Sequence, residues 1–234
     1  MTIKRSRALL GRAIETIWLL AIVLVPLAFG PPGWFAQFDI PKVALVRLFA
    51  SALTVLWMVD AALGVAVGGV PSTANSVSRA KAWVGAHPPR VTVFSASLLL
   101  LVVGLSALIS PFNNIALRGF EVGQDSYSLL STASAMVFFF VVAFRLESKA
   151  QMWRAAWAVA AGCVTAAGYA ILQAAGLDPL NILDYSSDRR TVGSFGNPTY
   201  LGAALLLGLP MVFALGLRYV GSWNSKVVIL ATGT

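Results

Sequence analysis

The run Val91-Thr92-Val93-Phe94-Ser95-Ala96-Ser97-Leu98-Leu99-Leu100-Leu101-Val102-Val103-Gly104-Leu105-Ser106-Ala107-Leu108-Ile109 decides how the rest of the chain is read. It carries no charged side chain. As an α-helix rising about 1.5 Å per residue, it matches the roughly 30 Å hydrocarbon thickness of a bilayer. The pattern recurs on both sides. Apolar runs cover about Ile14 to Phe29, Val43 to Leu63, Tyr127 to Phe144, Trp153 to Leu172 and Pro198 to Leu217. Together they predict an all-α fold, a polytopic transmembrane helix bundle of about six complete spans forming one transmembrane domain over residues 1–234. Beyond Leu217, the residues Arg218, Tyr219, Trp223 and Lys226 suit a membrane interface. The closing stretch Val227 to Thr234 is too short for a span, which needs about 20 residues. The expectation is a truncated seventh span in the N-terminal part of a longer chain.

Composition agrees. The chain is 58% hydrophobic and 11% charged, whereas a soluble domain carries about 25% charged residues. A formal net charge of +8 would suggest nucleic acid in a soluble protein. Here the basic residues sit between apolar runs, so charge reads as membrane topology and nucleic acid is excluded as a partner. Cys163 is the single cysteine and sits inside an apolar run, so no intramolecular disulfide forms. The start, Lys4-Arg5-Ser6-Arg7 before an apolar run, resembles a signal peptide. Bulky Phe29 fits a small-x-small cleavage site poorly, so this is read as an uncleaved first span, lengthened if Arg12 snorkels.

Counting charges sets the expected orientation. With the N-terminus inside, inner segments hold twelve basic residues: Lys4, Arg5, Arg7, Arg12, Arg79, Lys81, Arg90, Arg145, Lys149, Arg154, Arg218 and Lys226. Outer segments hold four, Lys42, Arg118, Arg189 and Arg190, and most of the acids: Asp39, Glu121, Asp125, Asp178, Asp184 and Asp188. The bias predicts a cytoplasmic N-terminus.

The most polar, glycine-punctuated segment is Arg189-Arg190-Thr191-Val192-Gly193-Ser194-Phe195-Gly196-Asn197-Pro198-Thr199-Tyr200. Asn197-Pro198 reads as the N-cap and first residue of a helix. A helix start presents unpaired N–H groups and partial positive charge, which attract anions. Gly193 and Gly196 allow tight turning or close approach of a ligand. Arg189 and Arg190 supply guanidinium forks for phosphate oxygens. The segment therefore predicts a phosphate or diphosphate site on the outer face. The plain alternative is an ordinary loop-to-helix turn whose arginines pair with Asp184 and Asp188. Arginines on the outer side run against the positive-inside bias, which favours the phosphate reading.

Other candidates are weaker. Arg47 lies one turn inside the second span and reads either as a functional intramembrane charge or as a snorkelling one. Lys42 and Arg118 are further outer cations. Asp60 is placed near the end of its span, in reach of water. Glu15 complements a helix N-terminus. His87, the one histidine, sits beside Pro88-Pro89 as a solvated loop residue. The fifth span, with Ala160, Ala161, Gly162, Ala166, Ala167 and Gly168, is expected to be central, since small residues let helices approach closely in lipid.

At the polar segment the sequence also resembles a known family. Arg190-x-x-Gly193-Ser194-Phe195-Gly196-Asn197-Pro198-Thr199-Tyr200-Leu201 is similar to the R-x-x-G-[ST]-F-G-N-P-N-[FY]-L signature of the O-antigen ligase/polymerase family, with Thr199 where Asn is usual. Ile40-Pro41-Lys42 before the second span and Leu108-Ile109-Ser110-Pro111-Phe112 after the third resemble that family's N-terminal half. The resemblance implies a glycosyltransferase of the bacterial inner (plasma) membrane, acting in polysaccharide or lipopolysaccharide assembly of the cell envelope. It would move a glycan from an undecaprenyl-diphosphate carrier to a glycan, lipid or protein acceptor at the periplasmic face. No metal or cofactor is implied. Arg190 matches the position placed near the diphosphate. The family's catalytic histidine lies in a later periplasmic loop, so this chain, if it stops at Thr234, is expected to be catalytically incomplete. The competing readings are a multi-pass transporter, a non-catalytic membrane protein or a structural anchor.

Overall fold

In a computed structural model, residues 3–31, 33–34, 36–68, 88–119, 128–180 and 190–232 are described. Among these the chain is helical and has no strand. The helices are α1 (Ile3–Leu27), α2 (Asp39–Gly68), α3 (Pro88–Ile109), α4 (Asn113–Arg118), α5 (Leu129–Arg145), α6 (Lys149–Ala174) and α7 (Pro198–Thr232), with a 3₁₀ turn at Gly193–Phe195. Five of them, α1, α2, α3, α6 and α7, are long and apolar enough to cross a membrane. The protein is an all-α transmembrane helix bundle. The remaining expected span, α5, is apolar but has only 17 residues, about 25 Å of helix. Ser128 starts it by accepting the Ser131 N–H at 3.3 Å.

The boundaries differ from the expected ones where polar residues can be carried on a helix end. Helix α1 begins at Ile3, well before Ile14, so Arg5, Arg7 and Arg12 ride on it. Helix α2 begins at Asp39 and includes Pro41 and Lys42, which were expected in a loop. A proline fits there because first-turn N–H groups have no intrahelical partner. Arg118 ends the short helix α4 where a plain loop was expected. Helix α7 runs unbroken for 35 residues through Pro210. The interface break after Leu217 is therefore absent, and Trp223 and Lys226 lie on the same helix as Leu217. Arg79, Lys81, His87, Glu121, Asp125, Asp184, Asp188 and Arg189 lie outside the described residues.

Two compact units divide the chain: Met1–Ala21 with Asp39–Glu147, and Ile22–Phe38 with Ser148–Thr234. In the first unit α5 packs against α2 and α3, and α4 lies against α3 and α5. Leu53 and Val141 are fully buried, and the rings of Trp57 and Phe144 meet at 6.0 Å. Asp60, expected to reach water, is instead buried at 5% exposure. Its Oδ1 accepts from Arg7 Nε at 3.2 Å, and its Oδ2 accepts from Arg145 Nη2. A carboxylate on an apolar helix needs such partners because its desolvation is otherwise too costly. Towards the other end of α2, Arg47 Nη2 donates to Ser131 Oγ at 3.0 Å, and to Ser128 Oγ and the Arg118 carbonyl at 3.4 Å each. Arg47 thus ties α2 to α5 and α4, a role that neither snorkelling nor a ligand site anticipates.

In the second unit α6 and α7 run antiparallel. Trp153 meets Arg218, Trp157 meets Tyr219, and Cys163 Sγ lies 3.6 Å from the Ala204 carbonyl. Ala166 and Ala170 pack with Leu201. Helix α6 is the most enclosed of the five long helices, with 33% of its membrane window buried against 17% or less for the others. The buried positions Ala156, Ala160, Gly162, Ala166, Ala170 and Gln173 are small except for the last. A Cβ on Gly162 would lie 3.3 Å from the Ile22 carbonyl of α1, and one on Gly208 would collide with Cys163. Within this unit its small side chains let α1 and α7 approach closely.

Candidate functional site

The polar segment sits at the C-terminal end of α6 and the N-terminal end of α7. Helix α6 stops at Ala175–Gly176. Gly176 takes a left-handed φ of 72°, and the Leu177 N–H reaches back to the Leu172 carbonyl at 2.9 Å. This is the Schellman type of helix end, which glycine favours. The turn brings Asp178 back over the helix end. Its Oδ1 accepts from the Tyr169 hydroxyl at 2.9 Å and from the Leu180 N–H at 3.2 Å. Its Oδ2 accepts from Gln173 Nε2 at 3.4 Å.

The motif is then fastened residue by residue. Gln173, 1% exposed, accepts the Gly193 N–H on Oε1 at 2.8 Å. Gly193 has φ 56°, a left-handed conformation that suits glycine. The Ser194 hydroxyl, also buried, donates to the Pro26 carbonyl of α1 at 2.8 Å. That carbonyl lies at the end of α1, where no intrahelical donor follows. The Phe195 N–H closes the 3₁₀ turn on the Val192 carbonyl at 3.2 Å. Gly196 has φ 72°, and a Cβ there would run into the Phe38 ring. Phe38 leans on Phe29 at 6.2 Å, and Phe29 stacks on Tyr169 at 5.8 Å. Asn197 Oδ1 accepts the Thr199 N–H at 2.8 Å, the N-cap bond expected of it.

This changes what the motif residues do. The two glycines permit a close approach, as expected. What approaches is the protein itself: Leu201 at Gly193 and Phe38 at Gly196. The helix start is a modest anion cradle, because Pro198 has no N–H and Asn197 already holds that of Thr199. That leaves the amides of Asn197 and Tyr200 at the helix start. Arg190 is different. It is exposed, lies three residues before the pinned Gly193, and has no ion pair among the described residues. Among the described residues the motif therefore presents the Arg190 guanidinium next to a locked turn, a group suited to a bidentate contact with phosphate oxygens.

The other candidates belong to the first unit. Lys42 stands in the first turn of α2. Arg47 and Arg118 come together through the Arg118 backbone carbonyl. Among the described residues no three His, Cys, Asp or Glu side chains gather as a metal site. Sequence reading missed Gln173 and the hydrogen-bonding role of Asp178, which entered only as an outer charge. It also missed the Asp60 ion cluster. A signal for that cluster existed: alternating spans place the start of α1, the end of α2 and the end of α5 at one membrane face, and Arg7, Asp60 and Arg145 sit there.

Scans against protein-family models, curated proteins and solved structures each return no match.

Proposed function

We propose that the chain serves glycan transfer of the O-antigen ligase/polymerase type, with Arg190 at the diphosphate of an undecaprenyl-linked donor. The observation that carries this reading is the division of labour within the motif. Gly193, Ser194, Gly196 and Asn197 are held by protein partners, while Arg190 is left exposed. In such a transfer an acceptor hydroxyl oxygen attacks the anomeric carbon, the bond to the diphosphate breaks, and the hydroxyl proton passes to the departing diphosphate or to water. Negative charge grows on the departing diphosphate oxygen. A guanidinium placed at that oxygen stabilises the growing charge more than it stabilises the ground state, which is what lowers a barrier. A locked turn adds to the effect because it restricts the backbone that carries the cation.

In this reading the membrane is the bacterial inner membrane, the N-terminus is cytoplasmic and Arg190 faces the periplasm. Support comes from the charge count and from the first unit. There Arg7 and Arg145, which the count puts on one side, meet on Asp60, while Arg47 and Arg118, toward the opposite side, meet each other. A transporter is less well supported, since it calls for helices broken at mid-membrane and α7 continues through Pro210.

The test replaces Arg190 in the protein as it occurs in its membrane and follows transfer from a lipid-diphosphate-linked glycan. Arg190→Ala should lose about 100-fold in rate at unchanged protein level. Arg190→Lys should recover only part, since it keeps the charge and loses the fork. Wild-type rates in Arg190→Ala would end the proposal. In a Cys163→Ala background, Arg190→Cys should react with an impermeant maleimide added from outside the inner membrane. Labelling only from the cytoplasmic side would overturn the orientation.

A further inference from the structure

We infer that Gln173 is the positioning residue for Arg190, acting through a relay that runs Asp178–Gln173–Gly193; this inference rests on the glycan-transfer reading above. The geometry is directional. A glutamine amide has one acceptor end and one donor end. Here the Gly193 N–H donates to Oε1 at 2.8 Å, and Nε2 donates to Asp178 Oδ2 at 3.4 Å. The backbone N–H can only donate and the carboxylate can only accept, so one orientation of the amide satisfies both. Asp178 is in turn held by the Tyr169 hydroxyl and the Leu180 N–H. The side chain is 1% exposed, on a helix whose other buried positions are alanine and glycine. A long polar side chain at such a place is costly unless its hydrogen bonds are made.

The relay acts on the motif at one point. It fixes the amide of Gly193 in its left-handed conformation, φ 56°. From that residue the chain runs back through buried Val192, 4% exposed, to exposed Arg190. Moving the Gly193 amide moves the base on which the Arg190 guanidinium is carried. Ser194 and Asn197 hold the other side of the turn through Pro26 and Thr199, so loss of the Gln173 contact shifts the Arg190 side first. Gln173 touches no substrate in this scheme; it acts only by way of Arg190.

A double-mutant cycle in the membrane-embedded protein tests it. Gln173→Leu alone should lower transfer from the lipid-diphosphate donor about 10-fold, the scale of a displacement below 1 Å in a catalytic group. In an Arg190→Ala background the same change should cost less than about 2-fold, because coupled residues are non-additive. Equal losses in both backgrounds would show a general structural role and overturn the inference. So would wild-type transfer in Gln173→Leu while Arg190→Ala is impaired. If Arg190→Ala itself is unimpaired, the glycan-transfer reading falls first. Should Gln173→Leu not accumulate, the exchange pair decides. Gln173→Glu keeps an acceptor for Gly193 but sets a carboxylate against Asp178, so transfer falls. Adding Asp178→Asn restores a donor–acceptor match, and transfer should recover. Failure of that rescue at normal protein level would refute the relay.

Discussion

Two arginine sites in this chain make opposite use of the same side chain. At Asp60, two guanidiniums from α1 and α5 converge on one buried carboxylate of α2. At the motif turn, the carboxylate of Asp178 takes a phenol, an amide and a backbone N–H, and Arg190 is left exposed. The first arrangement matches charge with charge and ties three helices together. The second gives the acid a phenol, an amide and a backbone N–H, and Arg190 has no ion pair among the described residues. Residue type alone therefore does not separate a structural arginine from a candidate site. Among the described residues, one cluster supplies a counter-charge to its arginines and the other does not.

The strongest way to break this contrast is to attack the scaffold. Gly196→Ala places a Cβ into the Phe38 ring at a left-handed φ of 72°. It should lower stability by about 3 kcal/mol, combining backbone strain and overpacking. Denaturation in detergent micelles measures it, and adding Phe38→Ala should return part of the loss. A cost under about 0.5 kcal/mol would mean the turn is not locked. Next in size is Asp60→Asn. It leaves two guanidiniums facing a neutral amide and should cost about 2 kcal/mol, the lower side of a broken buried pair because the Arg7 side chain is 47% exposed. The contrast is sharpened if transfer per folded molecule stays unchanged, the reverse of the Arg190→Ala result. The smallest effect is expected for Asn197→Ala, about 1 kcal/mol from the lost N-cap bond to Thr199. Asn197→Asp should keep that bond and most of the stability; equal losses in the two variants would show that the cap contributes little.

Part of this was legible before any coordinates. The run Val91 to Ile109 and its counterparts announced a helix bundle in lipid, because a bilayer leaves a backbone of that length little choice but helix. The cap at Asn197 and the enclosed place of α6 could also be read, since a capping side chain and a stripe of small residues are local properties. Helix ends were less legible. Lys42 and Arg118 sit on helices because polar residues are tolerated in first and last turns, and α7 continues past Leu217 because Arg218 and Tyr219 are held against Trp153 and Trp157.

By itself, then, the sequence determined the class of fold, the small-residue helix and the segment worth testing. All three rest on periodicity and composition, which need no partner to be recognised. Tertiary structure decided the rest. It put Asp60 between Arg7 and Arg145, packed Phe38 against Gly196, and gave Gln173 a donor at one end and an acceptor at the other. Each of those is a meeting of residues distant in the chain, and a side chain's role is set by the group that meets it. Arg190 is the instructive case: its residue type suggested a phosphate contact, but only the folding of its neighbours away from solvent set it apart as an exposed cation beside buried Val192, Gly193 and Ser194.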